Sequence, residues 1–202
     1  MASQGFLVAV VGPSGAGKDT VIDYARDVLS DNPDYAFVTR VITRPADAGG
    51  ENHDAVSEAE FSRLAADGAF AVSWEAHGLH YGIPRDSLDA CANGLILIAN
   101  GSRSAMNRFD AAFGEALRTV VVTAPKDVLA GRLASRGREA EDDILGRLDR
   151  SDTDAGEMRA DLTIVNDRSP AEAGESFVNF LKGLHAQIRA QAEATGGRQS
   201  AG

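Results

Sequence analysis

One segment of the chain has the residue types and spacing needed to hold phosphate groups. Residues 12–18 read Gly12-Pro13-Ser14-Gly15-Ala16-Gly17-Lys18, which is the pattern G-x-x-x-x-G-K. Glycines let backbone N–H groups curve around a phosphate, and the lysine ammonium reaches the β and γ oxygens of a nucleoside triphosphate. The apolar run Phe6 to Val11 predicts a strand before the pattern, and the spacing of apolar residues from Val21 to Leu29 predicts a helix after it. In this context the pattern predicts a P-loop that binds ATP.

The residue after the lysine departs from the usual P-loop pattern. A serine or threonine hydroxyl normally binds Mg²⁺ at that position, but here Asp19 follows Lys18 and Thr20 comes one residue late. Magnesium also accepts carboxylate oxygens. Asp19 is therefore a candidate metal ligand, directly or through water, and the alternative is an ion held mainly by the nucleotide. The sequence leaves both open.

The elements that must position this loop alternate along most of the chain. Apolar and β-branched runs predict further strands at Phe37–Thr43, Gly94–Ala99, Thr119–Thr123 and Leu162–Val165. A helix is predicted from Pro125 to near Gly137, and a closing helix starts at Ser169-Pro170. Alternating strands and helices predict an α/β fold, with a parallel sheet covered by helices on both faces.

Residues 43–85 interrupt this alternation. Ser57 and Glu60 form a capping box that predicts a short helix to about Ala66, and Phe70 to Tyr81 predicts a hairpin. We interpret the segment as an inserted subdomain within one domain of residues 1–195, followed by a disordered tail at 196–202.

Composition limits the partners of the protein. The 202 residues carry a formal net charge of −10, which disfavours nucleic acid and anionic membrane surfaces. Cys91 is the only cysteine, so no intrachain disulfide can form. The first apolar run is too short to be a membrane span or a signal core, which favours a cytoplasmic protein. The oligomeric state is left open, a homodimer included.

Several short motifs, in this order along nearly the whole chain, resemble the guanylate kinase family of P-loop kinases. They are Thr43-Arg44-Pro45, Glu51-Asn52-His53, Tyr81-Gly82, Arg136-Gly137 and Asn166-Asp167. Within that superfamily the chain is most similar to the ribose 1,5-bisphosphate phosphokinases. The strings that carry this similarity are GPSGAGKDT, ITRP, GENH, SWEAHGLHYG, NGSR and RGRE.

The resemblance implies roles for named residues. Lys18 and the lid arginines Arg136 and Arg147, within a lid at about 136–154, are the expected catalytic groups. Gly12 to Thr20, with Asn166 and Asp167 on the adenine side, are expected to bind ATP and Mg²⁺. The expected contacts to a small phosphorylated sugar come from Arg44, His53, Tyr81, Asn100 and Arg103. Arg132, Arg138 and Arg150 are secondary lid candidates.

Departures from guanylate kinases indicate an acceptor other than GMP. Asp47 replaces a second phosphate-binding arginine, while Ser73 and Asn100 align with carboxylates that read guanine. Guanine presents N–H donors, for which a carboxylate is the preferred partner. The expected reaction is therefore ATP-dependent phosphorylation of ribose 1,5-bisphosphate to 5-phosphoribosyl 1-diphosphate. Two alternatives stay open, a nucleoside monophosphate kinase and a non-catalytic guanylate-kinase-like binding module, although the binding modules typically have a damaged P-loop.

Overall fold

A computed structural model describes residues 4–46, 51–134 and 159–199 of the chain. The strands are β1 Phe6–Val11, β2 Tyr35–Phe37, β3 Arg40–Ile42, β4 His53–Ala55, β5 Phe70–Ala76, β6 Leu79–Pro84, β7 Ile96–Asn100, β8 Leu117–Thr123 and β9 Leu162–Val165. The α-helices are α1 Lys18–Leu29, α2 Glu58–Ala66, α3 Asp86–Ala92, α4 Met106–Phe113, α5 Lys126–Ala134 and α6 Pro170–Gln199. Short 3-10 helices lie at Arg103–Ala105 and Gly114–Ala116.

Five strands form the predicted parallel sheet, in the order β2-β7-β1-β8-β9. Every residue of β1 is buried, because its side chains alternate between two hydrophobic cores. Val8 faces the core formed with α1, α5 and α6, whereas Leu7 faces the core formed with α3 and α4. The sheet is thus covered on both faces, and α/β architecture is confirmed.

The inserted segment forms a second sheet in the order β4-β3-β6-β5. Ser57 accepts a hydrogen bond from the Glu60 N–H, so the predicted cap of α2 is confirmed. The predicted hairpin is also present, and its tight turn uses positive φ angles at His77 and Gly78. Trp74 joins the insertion to the main sheet by packing in the same core as Phe109 on α4.

The sequence interpretation was wrong about the second strand. Instead of one strand over Phe37–Thr43, the chain forms β2 in the parallel sheet and β3 in the inserted sheet. The Val38 N–H still donates to the Ile98 carbonyl of β7, and three residues later Val41 pairs with Gly82 of β6. The sequence interpretation joined Phe37-Val38 to Val41-Ile42 as one run, although the polar residues Thr39 and Arg40 separate them where the chain changes sheets. Helices α3 and α4 were also missed.

The closing helix extends further than the sequence indicated. Its backbone continues through Gln199, past residue 196, where a disordered tail was expected to begin. Glycines lower helix propensity by about 1 kcal/mol each but do not forbid a helix. Among the described residues, no helix is long and apolar enough to cross a membrane.

Candidate active site

The residues of the candidate site lie at the carboxyl ends of three parallel strands, β1, β7 and β9. The P-loop follows β1, Asn100 ends β7 and Asn166 follows β9. Two glycines of the loop are required by geometry. A Cβ on Gly12 (φ +152°) would lie 1.9 Å from the Val122 carbonyl oxygen, and one on Gly17 (φ +88°) would lie 2.4 Å from Asn166 Nδ2. The loop therefore keeps its curvature because these positions have no side chain.

Lys18 lies across the mouth of this loop. Its Nζ donates hydrogen bonds to the carbonyls of Gly12 (3.0 Å) and Pro13 (3.2 Å). Burial lowers the pKa of Lys18; the Asp19 carboxylate opposes this effect, and the guanidinium groups of Arg40 and Arg103 add to it. The ammonium is thus partly desolvated, which makes its attraction to an incoming phosphate larger than it would be in open water.

Asp19 follows Lys18 in the first turn of α1, at an exposed position that contacts the end of β7. Asn100 Nδ2 donates a hydrogen bond to Asp19 Oδ1 (2.7 Å). Partial desolvation of the carboxyl raises the pKa of Asp19, and the nearby charge of Glu51 raises it further. Asp19 therefore presents an accessible carboxylate next to Lys18.

Asn166 and Arg132 hold the P-loop through hydrogen bonds to its backbone carbonyls. Asn166 is buried, and its Nδ2 donates to the Ala16 carbonyl (2.8 Å). Arg132 of α5 donates to the carbonyls of Asn166 (3.0 Å) and Gly15 (3.4 Å). Arg132, expected only as a secondary lid residue, thus supports the P-loop itself. Asp167, the other residue expected at the adenine side, is exposed.

Arg44 and His53 lie together at the start of the inserted subdomain. His53 is buried between two carbonyls, with Nε2 3.1 Å from the Arg44 oxygen and Nδ1 3.0 Å from the Glu51 oxygen. A ring protonated on both nitrogens donates to both carbonyls, whereas a ring protonated on Nε2 alone accepts from Arg44 Nη2 at 3.2 Å. In both forms His53 donates to the backbone carbonyl of Arg44, and in the second form it also holds the Arg44 guanidinium.

Two arginines in this region have unused hydrogen-bonding capacity. Arg44 Nε and Arg103 Nε are buried and have no partner within the described residues. Leaving a buried donor unpaired is costly, so such groups in a site are suited to an anionic ligand. Arg103 is also close enough to Lys18 to lower the pKa of its ammonium.

A buried ion pair that sequence reasoning missed holds the acceptor side together. Arg40 of β3 is only 6% exposed, and its Nε donates to Glu51 Oε2 (3.0 Å) while its Nη2 contacts Glu51 Oε1. The Arg40 guanidinium also lies over the rings of Tyr81 (5.0 Å) and Trp74 (5.7 Å). Tyr81, expected to contact substrate, stacks on Trp74 at 5.3 Å and so supports Arg40.

Comparisons with known proteins identify the family of the chain. Over 178 residues the chain is 52% identical to a ribose 1,5-bisphosphate phosphokinase PhnN of Agrobacterium fabrum, covering 87% of this chain and 96% of the relative. It is 47% identical to the protein of the same name from Rhizobium etli, covering 93% and 94%. The chain belongs to the ribose 1,5-bisphosphate phosphokinase family. No protein-family model matches it.

The fold of this chain is similar to that of a guanylate kinase whose crystal structure is known. Guanylate kinase from Anaplasma phagocytophilum superposes with a TM-score of 0.66, covering 90% of this chain and 86% of that one, at 20% sequence identity. At this identity the likeness shows the fold alone. The guanylate-kinase-like P-loop architecture expected from the sequence is confirmed.

The predicted site residues fall into two groups, those that the structure describes and those that lie outside the described residues. Lys18, Asp19, Asn100 and Asn166 meet at the loop, and Arg44 meets His53. Arg136 and Arg147 lie outside the described residues, as do the secondary lid candidates Arg138 and Arg150 and also Asp47. One sequence signal for the missed Arg40 was available. It alternates with Ile42 on the inward face of a short strand, and an arginine there requires a buried acidic partner.

Proposed function

We propose that the protein transfers the γ-phosphoryl group of ATP to the 1-phosphate of ribose 1,5-bisphosphate, giving 5-phosphoribosyl 1-diphosphate and ADP. The observation that carries the proposal is the 52% identity, over 96% of its length, to a relative that bears this enzyme name. Lys18 in its loop and the pair of Arg44 and His53 support it, since they provide one phosphate-binding region for each substrate.

The chemical step needs little from the protein beyond position and charge. An oxygen of the acceptor's 1-phosphate forms a bond to the γ-phosphorus, and the bond from that phosphorus to the β–γ bridging oxygen breaks, so that ADP leaves with the electron pair. The attacking oxygen is already anionic, so no general base has to remove a proton from it. Lys18 stabilises the charge on the transferring phosphoryl and on the bridging oxygen.

The residues present fit a magnesium ion. Asp19 offers a solvent-accessible carboxylate beside Lys18, with Asn100 fixing one of its oxygens. Magnesium prefers such oxygen ligands and retains several waters. Asp19 would hold the ion, directly or through water, and the ion would neutralise charge on the β and γ phosphates.

The two ends of the acceptor and the adenine of ATP are assigned to different groups. Arg44, ordered by His53, and Arg103 bind acceptor phosphates through donors that have no partner within the described residues. Asn166 Oδ1, which is also buried without a partner there, is available to a donor on the adenine side. Asp167 lies beside it.

Arg136 and Arg147 are proposed as the lid arginines on the strength of the motif resemblance. Arginines that reach a transferring phosphoryl group contribute about 10³ to 10⁵ in rate. Substituting either residue by alanine should lower kcat by orders of magnitude and change the melting temperature little. Unaltered turnover in these variants would show that Arg136 and Arg147 do not act on the transferring phosphoryl group.

Product identification tests the proposed reaction. The protein is incubated with ATP, Mg²⁺ and ribose 1,5-bisphosphate, and phosphorus NMR follows the appearance of a diphosphate on the sugar together with ADP. Ribose 5-phosphate is the matched control acceptor, because it lacks the attacking 1-phosphate and should give no such product. Absence of a sugar diphosphate from ribose 1,5-bisphosphate would contradict the proposal.

A further inference from the structure

A small cavity lies between the P-loop helix and the inserted subdomain. Its apolar wall includes Val38 and Ile98, and its polar wall is made by three carboxylates, two amides and one guanidinium: Asp19, Asp23, Glu51, Asn52, Asn100 and Arg26, which pairs with Asp23. Its volume of about 30 Å³ holds about two water-sized groups. The cavity is therefore too small for a nucleobase or a phosphate but accommodates two hydroxyl oxygens.

The Glu51 carboxylate is fixed at the edge of this cavity. Both of its oxygens contact the Arg40 guanidinium, which itself packs over the rings of Trp74 and Tyr81. An ionised carboxylate has about four acceptor positions, and Arg40 uses two of them. Glu51 thus enters the cavity as a rigid acceptor with capacity left for two hydroxyl donors.

The charges around the cavity form a pattern with a negative centre. Asp19 and Glu51 are close enough that the charge of Glu51 raises the pKa of Asp19. Three carboxylates against one guanidinium leave the cavity with an excess of negative charge, which disfavours phosphate groups; Lys18 with the nearby Arg103, and Arg44 beside His53, offer cations for them outside the cavity. A ligand with anionic ends and a neutral, hydrogen-bond-donating middle fits this arrangement.

We propose that Glu51 accepts hydrogen bonds from the vicinal 2- and 3-hydroxyl groups of the acceptor ribose and selects ribose over 2-deoxyribose, with Arg40 as its positioning residue. This inference rests on the proposed function, because ribose 1,5-bisphosphate has phosphates at both ends and these two hydroxyls as its only donors.

The test compares ribose 1,5-bisphosphate with 2-deoxyribose 1,5-bisphosphate as acceptors at saturating ATP. The parent protein should favour the ribose substrate by about 10- to 100-fold in kcat/KM, the expected value of one hydrogen bond to a charged group. Glu51→Gln should bring the two substrates within about threefold of each other, mainly through a higher KM for the ribose substrate. Arg40→Lys should lower the preference to an intermediate value.

Controls separate this inference from the others. Glu58→Gln, at an exposed position of the same subdomain, should keep the full preference, and thermal unfolding should show that each variant is folded. A parent protein that uses both sugars equally would overturn the inference but leave the proposed function standing, whereas no activity with ribose 1,5-bisphosphate would contradict the proposed function itself. If Glu51→Gln lowers activity equally with both sugars and raises the Mg²⁺ requirement, Glu51 acts on the metal and the inference fails. Should Glu51→Gln not fold, the parent and Arg40→Lys still decide the matter by the same ratio.

Discussion

The two halves of the site are built in different ways. The ATP side is formed mostly by the backbone of one contiguous segment, residues 12–18, curved by glycines and closed by Lys18. The acceptor side is assembled from side chains on separate elements, including Arg40 on β3, His53 on β4 and Asn100 on β7. A backbone site recognises a phosphate that many proteins share. We propose that side chains that depend on a buried ion pair determine which acceptor is used.

Removing the lysine should break the ATP side most severely. Lys18→Ala should lower kcat by at least about 10²- to 10³-fold, because it deletes a preorganised charge at the transferring phosphoryl. The fold should persist, since the pKa of Lys18 is lowered by burial and its ammonium is therefore not stabilised by its surroundings. Rate measurements with the exposed Lys182→Ala as control test this. Near-normal turnover in the folded Lys18→Ala protein would contradict the P-loop assignment.

On the acceptor side, removing the Arg40 cation should mainly lower the free energy of unfolding. Arg40→Met leaves Glu51 partly buried without its cation, and breaking such a pair costs about 3 to 5 kcal/mol in the free energy of unfolding. Chemical denaturation measures the loss, and the double variant with Glu51→Gln should recover part of it. Arg63→Met, which removes an exposed ion pair in the same subdomain, should change little. Equal losses of stability in the Arg40 and Arg63 variants would show that the buried ion pair stabilises the fold no more than an exposed one.

Two glycine substitutions separate backbone strain from function. Gly17 and Gly68 both have positive φ angles, but only at Gly17 would a Cβ meet a neighbour, Asn166 Nδ2 at 2.4 Å. Gly17→Ala should therefore displace Asn166 from Ala16 and raise the KM for ATP about tenfold, the value of one lost hydrogen bond. Gly68→Ala should lose about 1 to 2 kcal/mol of stability and keep its KM. A similar KM in both variants would exclude this role for Asn166.

The smallest effect is expected at Asp19, where the two halves meet. Its carboxyl pKa lies above the ordinary 3.8, so the ionised form is lost at a higher pH than for a typical aspartate as the solution is acidified. Asp19→Ser should keep part of the activity, require more Mg²⁺ and lose this acidic limb of the pH–rate profile. An unchanged Mg²⁺ requirement would show that Asp19 does not take part in metal binding.

The same contrast explains what the sequence could predict. The P-loop, the cap of α2 and the hairpin depend on neighbouring residues, and local patterns identified each of them. The change of sheet after Phe37 and the pairing of Arg40 with Glu51 depend on contacts between separate segments, which local patterns of hydropathy do not specify. Asn166 was expected near adenine from the resemblance, but its bond to the Ala16 carbonyl across 150 residues required the structure.

A competition between two acceptors tests the central claim most directly. The protein receives ATP, Mg²⁺ and equal concentrations of ribose 1,5-bisphosphate and GMP in one reaction, and the products are separated and quantified. If Ser73 and Asn100 replace the guanine-reading carboxylates, as the motif resemblance predicts, guanine would leave N–H donors unpaired, at about 1 to 3 kcal/mol for each such group. The account predicts at least about tenfold more 5-phosphoribosyl 1-diphosphate than GDP. Efficient GDP formation without the sugar diphosphate would contradict it.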